Sequence, residues 1–274
     1  MKKIIRLSLL PVCLCVDAQV PGSMGDISVT GSIVFTEIMA DPSPPVGLPE
    51  KEYLEITNRT GDTLFTGGLI LIAGTDSVTL PAEMIAPQEY IILCATGSRS
   101  LLQPYGRVMA IKSFPSLNND GEQLALRGSD GRLLHAVSYT PALLGEGPRS
   151  GGGWSAELTD LSNPFNEPGA WSPSVDPSGG TPGRASSSER AAPDTRCPLA
   201  VAVWTEDGDT VRVLFDETVM AVADERWLAD CRETFPAVSG DPADRLRLVP
   251  LRQRLQQGEI LSLTVPASVT DFAG

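Results

Sequence analysis

The chain has 274 residues, including 26 glycines and 23 prolines, and only 20% are charged; this composition argues against helical bundles and coiled coils. Its net charge of -13 argues against nonspecific nucleic-acid binding, which depends on a basic surface that releases counterions, so no nucleic-acid partner is expected. A single histidine argues against zinc sites built from several histidines and leaves one position for a catalytic imidazole.

Residues 1–18 have the layout of a secretory signal peptide. A short basic segment, residues 1–6, precedes an apolar run, residues 7–16, which is too short to span a membrane. Residues 16–18 offer small or apolar residues at the positions that a signal peptidase reads, so cleavage is predicted between Ala18 and Gln19. The alternative is a buried hydrophobic strand. We expect an exported protein, in the periplasm, at the cell surface or outside the cell, with no transmembrane segment.

Removal of the leader would leave three cysteines. Cys94 lies in an apolar run, which is typical of a buried strand thiol. Cys197 and Cys231 are candidates for a disulfide in an oxidising compartment, although the sequence does not show whether the two sulfurs meet.

Residues 31–171 show the pattern of an all-β domain. Residues 52–58 alternate, with Leu54 and Ile56 on one face, which predicts a half-buried strand. Residues 69–73 and 90–94 are continuous apolar runs and are predicted to be buried on both faces. Residues 128–131 form a hairpin signal. Strands spaced by about ten to fifteen residues, without helical periodicity, predict a β-sandwich or barrel.

Residues 172–198 contain no Leu, Ile, Phe, Tyr or Trp, and are therefore predicted to be a flexible linker. After them, strands are predicted over residues 199–205, 210–215, 245–251 and 260–265. Because residues 199–274 offer too few strands for an immunoglobulin-type sandwich, we expect this second domain to be incomplete and the chain to be the N-terminal part of a longer protein.

The order of several short motifs resembles the bacterial lamin-tail domain. They are residues 34–42, 52–58, 119–122, 129–131, 137–139 and 153–158, and Trp171 followed by residues 178–183. The resemblance implies an immunoglobulin-like β-sandwich, exported in bacteria and found as one module among several. Residues 211–219, 261–265 and 269–274 resemble a bacterial surface-type immunoglobulin-like domain, which implies a second sandwich.

Four carboxylates are candidate calcium ligands, because calcium prefers six to eight hard oxygens; they are Glu37, Asp41, Glu52 and Glu55. By alternation, Glu37 would share a face with Ile33, Phe35 and Met39, and would then be either at the sheet rim or hydrogen-bonded there. The alternative is that these side chains cap turns or belong to a solvated face. Paired carboxylates also serve glycosidases, but nothing in the sequence marks one with a raised pKa. No cofactor other than calcium is expected.

No motif supplies a nucleophile or a base to go with His135. Trp154 and Trp171 suit either core packing or a sugar-stacking platform. We expect a non-catalytic, exported multidomain protein acting in cell-surface display, adhesion or structural spacing, whose partner is an envelope or extracellular protein or glycan. The alternative is an accessory N-terminal region of a larger secreted hydrolase (nuclease, phosphoesterase or glycosidase) with its catalytic domain beyond residue 274.

Overall fold

The computed structural model describes the backbone of residues 4–9 and residues 30–144, 148–165, 170–190, 197–219, 227–229, 234, 237–239, 245–256, 259–266 and 269. Strands make up 40% of it and helices 6%, so the fold is all-β, as the sequence predicted. The chain divides into two compact units. The central unit is Pro21–Pro193, and the terminal unit combines Met1–Val20 with Asp194–Gly274.

The strands are short and closely spaced along the sequence. In chain order they are β1 (Ile4–Leu9), β2 (Ile33–Met39), β3 (Tyr53–Asn58), β4 (Leu64–Phe65), β5 (Ile70–Ala73), β6 (Asp76–Thr79), β7 (Met84–Ile85), β8 (Tyr90–Ala95), β9 (Arg107–Ile111), β10 (Glu122–Arg127), β11 (Leu133–Tyr139), β12 (Ala156–Leu158), β13 (Trp171–Pro173), β14 (Ala200–Trp204), β15 (Thr210–Phe215), β16 (Leu228–Ala229), β17 (Val238–Ser239), β18 (Leu246–Pro250) and β19 (Ile260–Val265). The helical segments are one α-helical turn, α1 (Arg99–Leu102), and 3₁₀ turns at Thr96–Ser98, Pro141–Leu144 and Pro148–Gly151.

Two sheets of the central unit enclose its main core. One has the strand order β13-β12-β2-β3-β8-β9 and the other β11-β10-β5-β6; β4 and β7 form a small separate pair. The core draws Leu54 and Ile56 from the first sheet and Leu124 and Leu126 from the second, and all four side chains are fully buried. Burial of each such side chain stabilises the fold by about 1.5–3 kcal/mol, which makes this apolar layer the main source of stability.

The alternating patterns predicted correctly which strand residues face the main core. They predicted poorly how far the opposite faces of the sheets are buried. Leu54 and Ile56 face the core as expected, but β3 is buried along its whole length and not on one side only. Strand β8 is buried on both faces, as predicted. Strand β5 alternates between buried and half-buried residues, so the prediction of burial on both faces was wrong there.

A β-bulge in β2 corrects the predicted direction of Glu37. The register against β3 shifts between Phe35 and Glu37. A bulge inserts one extra residue and so reverses the alternation that follows it. Phe35 and Ile38 therefore both contribute to the main core, whereas Glu37 lies with Met39 on the outer face of the sheet.

The outer face of the six-stranded sheet carries a second, smaller apolar cluster. Its members are Met39, Leu48, Tyr53, Ile92, Cys94, Leu102 and Val108. Cys94 is the buried strand thiol that the sequence predicted, and burial raises its pKa to about 11, so that it stays protonated at neutral pH. The central strands of this sheet are thus covered on both faces.

Residues 172–190 differ from the flexible linker that their composition predicted. Strand β13 pairs with β12, and Ser174 and Thr181 are almost completely buried. The division between the two units falls between Pro193 and Asp194. Residues 191–196 of the predicted linker lie outside the described residues.

The terminal unit contains two sheets, with strand orders β14-β15-β18-β17 and β1-β19-β16. The four strands predicted after residue 198 correspond to β14, β15, β18 and β19. Its core combines residues of β15, β18 and β19 with Trp227. Strand β1 runs parallel to β19, which is the strand alternative that the sequence left open for the N-terminal segment. Within the described ranges, no helix is long and apolar enough to cross a membrane.

Candidate functional site

Three buried glutamates lie side by side on adjacent strands of the six-stranded sheet. In the strand register, Glu157 of β12 is opposite Glu37 of β2, and Glu37 is opposite Glu55 of β3. They are 0%, 1% and 1% exposed, respectively. Residues directly opposite in neighbouring strands have Cβ atoms about 4.5–5.5 Å apart, so the ladder itself forces these carboxyl groups together. We call Glu157, Glu37 and Glu55 the glutamate row.

The row is covered by a segment that has almost no apolar side chains of its own. This segment, residues 174–188, is called the strap here. It donates a backbone N–H group to each of the three glutamates, and serine and threonine hydroxyl groups to Glu157. Such hydrogen bonds can hold a segment that buries little apolar surface, because a buried donor or acceptor left unpaired is costly.

Glu157 makes the largest number of contacts with the strap. Its Oε2 atom accepts hydrogen bonds from the Ser187 backbone N–H at 2.6 Å, from Ser186 Oγ at 2.8 Å and from Ser187 Oγ at 2.8 Å. Thr181 Oγ1 donates to its Oε1 at 3.0 Å. Ser186 and Ser187 therefore supply several hydrogen-bond donors to the same carboxyl group.

Glu37 is at the centre of the row and joins the sheet to the strap. Its Oε1 accepts three hydrogen bonds, from Tyr53 Oη at 2.7 Å, Ser155 Oγ at 2.6 Å and the Thr181 N–H at 2.8 Å. Its Oε2 is buried and has no hydrogen-bond partner among the described residues. Oε1 of this carboxyl thus accepts several hydrogen bonds, whereas Oε2 lies in a site that would stabilise a negative charge poorly.

Glu55 closes the row on its other side. It accepts a hydrogen bond from Thr36 Oγ1 at 2.8 Å and another from the backbone N–H of Gly183. Thr36 is the residue at the bulge of β2, so the same irregularity that turns Glu37 outward also places a hydroxyl next to Glu55.

Burial favours the protonated forms of Glu37 and Glu55. Desolvation, reinforced by the charge of Glu157, raises the pKa of Glu37 to about 7, although hydrogen bonds from Ser155, Tyr53 and Thr181 oppose this. Desolvation and the charge of Glu37 raise the pKa of Glu55 well above its ordinary value. Three like charges on adjacent strands would repel one another, so the row is most stable when it carries fewer than three charges.

Adjacent carboxyls with raised pKa values are also found in catalytic sites. Here, however, the side chains of the row are at most 1% exposed, and their oxygens other than Glu37 Oε2 accept hydrogen bonds from donors of the chain itself. A substrate would reach them only if the strap left the sheet. What this arrangement does in the folded protein is hold the strap.

The four predicted calcium ligands do not come together as one set. Glu37 and Glu55 are neighbours in the row, with Glu157 as an unpredicted third member. Glu52 instead accepts hydrogen bonds from the Leu117 N–H and from Ser116 Oγ. Asp41 contacts the Ser43 N–H. In the part of the chain that is described, no three His, Cys, Asp or Glu side chains are grouped to hold a metal ion.

His135 is fully buried in the central unit. Its Nδ1 accepts the Phe35 backbone N–H at 3.1 Å, and its Nε2 lies 3.0 Å from the carbonyl oxygen of Pro164. Since that carbonyl can only accept, Nε2 carries the proton. Desolvation, together with the charge of Arg59, lowers the pKa of His135 to about 4, so the ring is neutral at physiological pH.

The other candidate residues have simpler positions. Trp171 is buried in the main core, as the packing alternative predicted, whereas Trp154 is partly exposed, with the Arg149 guanidinium 5.0 Å from its ring centroid. Cys197 is exposed. Cys231, Ala18 and Gln19 lie outside the described residues, so the disulfide and the cleavage site stay predictions.

The sequence analysis missed Glu157 and the donors that surround the row. One signal was present: Glu157 stands between Ala156 and Leu158, just as Glu55 stands between Leu54 and Ile56. In both cases, the apolar neighbours belong to the main core and the glutamate lies on the opposite face. Nothing in a single strand shows, however, that this opposite face is covered.

Comparisons with known proteins do not assign the chain to a family. No family model matches the sequence, and no curated protein matches it. The resemblance to the lamin-tail domain therefore stays a prediction.

Glu37→Gln should flatten the pH dependence of strap stability. Because the folded-state pKa of Glu37 is raised, its contribution is complete below pH 4.5 and is lost as the pH rises through about 7. The loss is on the order of 3 kcal/mol for the parent protein. Hydrogen exchange of strap amides, corrected for intrinsic rates, should show protection falling between about pH 5 and pH 8 in the parent and much less in the variant. The exposed Glu50→Gln is the control, and an unchanged pH slope in Glu37→Gln would contradict the assignment.

Gly180→Ala should loosen the strap, because a Cβ atom there would lie 2.5 Å from Glu37 Oε1 and 2.8 Å from Tyr53 Oη. We expect a loss of about 1–3 kcal/mol in the free energy of unfolding. The matched control is Gly97→Ala, where a Cβ atom meets nothing within 4 Å and stability should stay the same or rise slightly. Chemical denaturation of both variants tests this; equal stabilities would show that Gly180 is not in close contact with the row.

The single imidazole gives a direct test of the central-unit core. In ¹⁵N NMR, His135 should appear as the neutral tautomer with the proton on Nε2, and its signals should stay constant from about pH 7 to about pH 5. Since its folded-state pKa is lowered to about 4, its contribution to stability is present above 6.5 and is lost as the pH falls towards 4. A titration midpoint near 6.5 in the folded protein would contradict this position.

Proposed function

We propose that the chain is a non-catalytic module of an exported protein that acts in cell-surface display, adhesion or structural spacing. The observation that carries this proposal is that the buried ionisable groups form hydrogen bonds within the protein. The glutamate row binds the strap, and His135 bonds to the backbone of Phe35 and Pro164. These groups stabilise the fold and are not presented to a substrate.

An open groove at one end of the six-stranded sheet is the favoured contact surface. Strands β2, β8 and β9 end there and β3 begins there, and the loops at these points surround a volume of about 760 Å³. Its lining combines the apolar side chains of Pro49, Leu101 and Phe114 with the charged Lys51. Loops held by a rigid scaffold are the usual place for binding residues.

The composition of this groove suits a protein or a glycan of the envelope or the extracellular space. Leu101 is 47% exposed, and such a side chain gains stability when a partner covers it. The carboxylates of Glu50 and Glu52 flank Lys51 and offer hydrogen-bond acceptors to hydroxyl or amide groups. The resemblance to the bacterial lamin-tail domain supports the same assignment, since it implies an exported, immunoglobulin-like module.

Leu101→Asp should weaken attachment to the cell envelope. The variant places a charge where the groove offers an apolar contact, so cosedimentation of the purified protein with envelope fragments of the producing bacterium should fall by about tenfold. Phe65→Asp is the matched control, because Phe65 is also 47% exposed but lies in β4, outside the groove. Equal attachment of both variants and the parent would rule out the groove as the contact surface.

The same preparation tests export and the alternative function. N-terminal sequencing of the protein recovered outside the cytoplasm should begin at Gln19. The accessory-region alternative would instead be favoured by a hydrolase domain in the same reading frame, or by turnover of phosphodiester, nucleic-acid or glycoside substrates.

A further inference from the structure

Among the described residues of the terminal unit, strand β19 has a neighbour along its whole length on one side only. There, β1 pairs with all six residues in parallel, from Ile4 opposite Ile260 to Leu9 opposite Val265. On its other side, the described residues of β16 pair with Thr264 and Leu263. The three-stranded sheet therefore depends mainly on the backbone hydrogen bonds between β1 and β19.

The inner face of β19 is part of the terminal-unit core. Leu261, Leu263 and Val265 are at most 6% exposed and pack with residues of β15 and β18, whereas Ile260 is half exposed. This alternation means that the edge next to β1 lies directly beside a buried apolar layer. A neighbouring strand there both pairs the β19 backbone and extends the cover over that layer.

The sequence of residues 4–9 matches this edge position by position. Ile5, Leu7 and Leu9 stand at the register positions of the three buried residues of β19. The polar Arg6 and Ser8 stand opposite Ser262 and Thr264, which lie on the other face. An alternating pattern in register with the acceptor strand is the requirement for strand addition to a half-buried sheet.

These residues are also those that signal-peptide cleavage would remove. After cleavage at Ala18, the β19 edge would lose its pairing strand while Leu261, Leu263 and Val265 kept their places in the core. Unpaired edge strands of this kind are templates for another extended chain.

We propose that the β19 edge is a strand-acceptor site in the exported protein, and that it binds, in parallel, an extended protein segment of alternating aliphatic and polar residues. Residues 4–9 occupy this site in the structure and show the pattern it accepts. The proposal rests on the proposed export, because processing is what empties the site. Its ligand is a polypeptide, since recognition runs through backbone hydrogen bonds, with alternate side chains setting the register.

The test uses the processed protein that begins at Gln19 and a fluorescent peptide with the sequence of residues 2–11. Saturable binding by anisotropy should appear together with new hydrogen-exchange protection across residues 260–265. A control peptide of the same composition, with its aliphatic residues clustered, should bind at least about tenfold more weakly, because it cannot place alternate residues on one face. The unprocessed chain should not bind, since its own N-terminus fills the edge.

Two further peptides examine the backbone pairing without altering the protein. They carry N-methyl groups on alternate residues, one on the odd and the other on the even positions of residues 4–9. Because successive N–H groups of a strand point to opposite edges, one peptide should lose binding and the other should keep it. Equal behaviour of this pair, equal binding of the clustered control, or no binding by the parent peptide would each overturn the proposal.

A failure of the acceptor site can be distinguished from a failure of the proposed export. If N-terminal sequencing shows that residues 1–18 are retained, the proposed export fails, while a chain made directly from Gln19 still reports on the acceptor edge. If the protein is processed and the peptide neither binds nor protects residues 260–265, the acceptor site fails and the export stands.

Discussion

The central unit depends on the burial of three carboxyl groups beneath a segment that cannot bury itself. The strap contributes little apolar area, so its ordering entropy is not offset by the hydrophobic effect. Hydrogen bonds from Thr181, Gly183 and the serines to the glutamate row offset this entropy instead. In return, the strap supplies the donors without which buried carboxyls on adjacent strands would be strongly destabilising. Each side of this contact needs the other, which explains why so polar a segment is ordered on the sheet.

The interior of the central unit selects against charge of either sign. Burial raises the pKa of Glu37 and lowers that of His135, because desolvation penalises the charged form in both cases. Their contributions to stability are lost in opposite directions, as the pH rises through about 7 for the glutamate and as it falls towards 4 for the histidine. Between about pH 4.5 and pH 6.5 the two dependences therefore oppose each other.

Local pattern predicted the fold class, several of the strands and one hairpin, because hydrophobic alternation and glycine signals act over a few residues. The hairpin at residues 128–131 formed as expected, with Gly131 at a positive φ of 82°. The glutamate row was beyond this reasoning. It requires a bulge at Thr36, a cross-strand register and a cover from residues more than 100 positions away, and composition alone indicated that this cover was a flexible linker.

Each unit covers part of a sheet with a segment from another part of the chain, and the two covering segments differ in kind. An outer sheet face or a sheet edge beside a core must be covered. The central unit covers its sheet with the strap, which follows β13 in the chain and is hydrogen-bonded to carboxylates that belong to the same sheet. The terminal unit covers the edge of β19 with residues 4–9, from the far end of the sequence. Cleavage at Ala18 would leave the first cover in place and remove the second. In the exported protein that we propose, processing would therefore uncover the edge of β19.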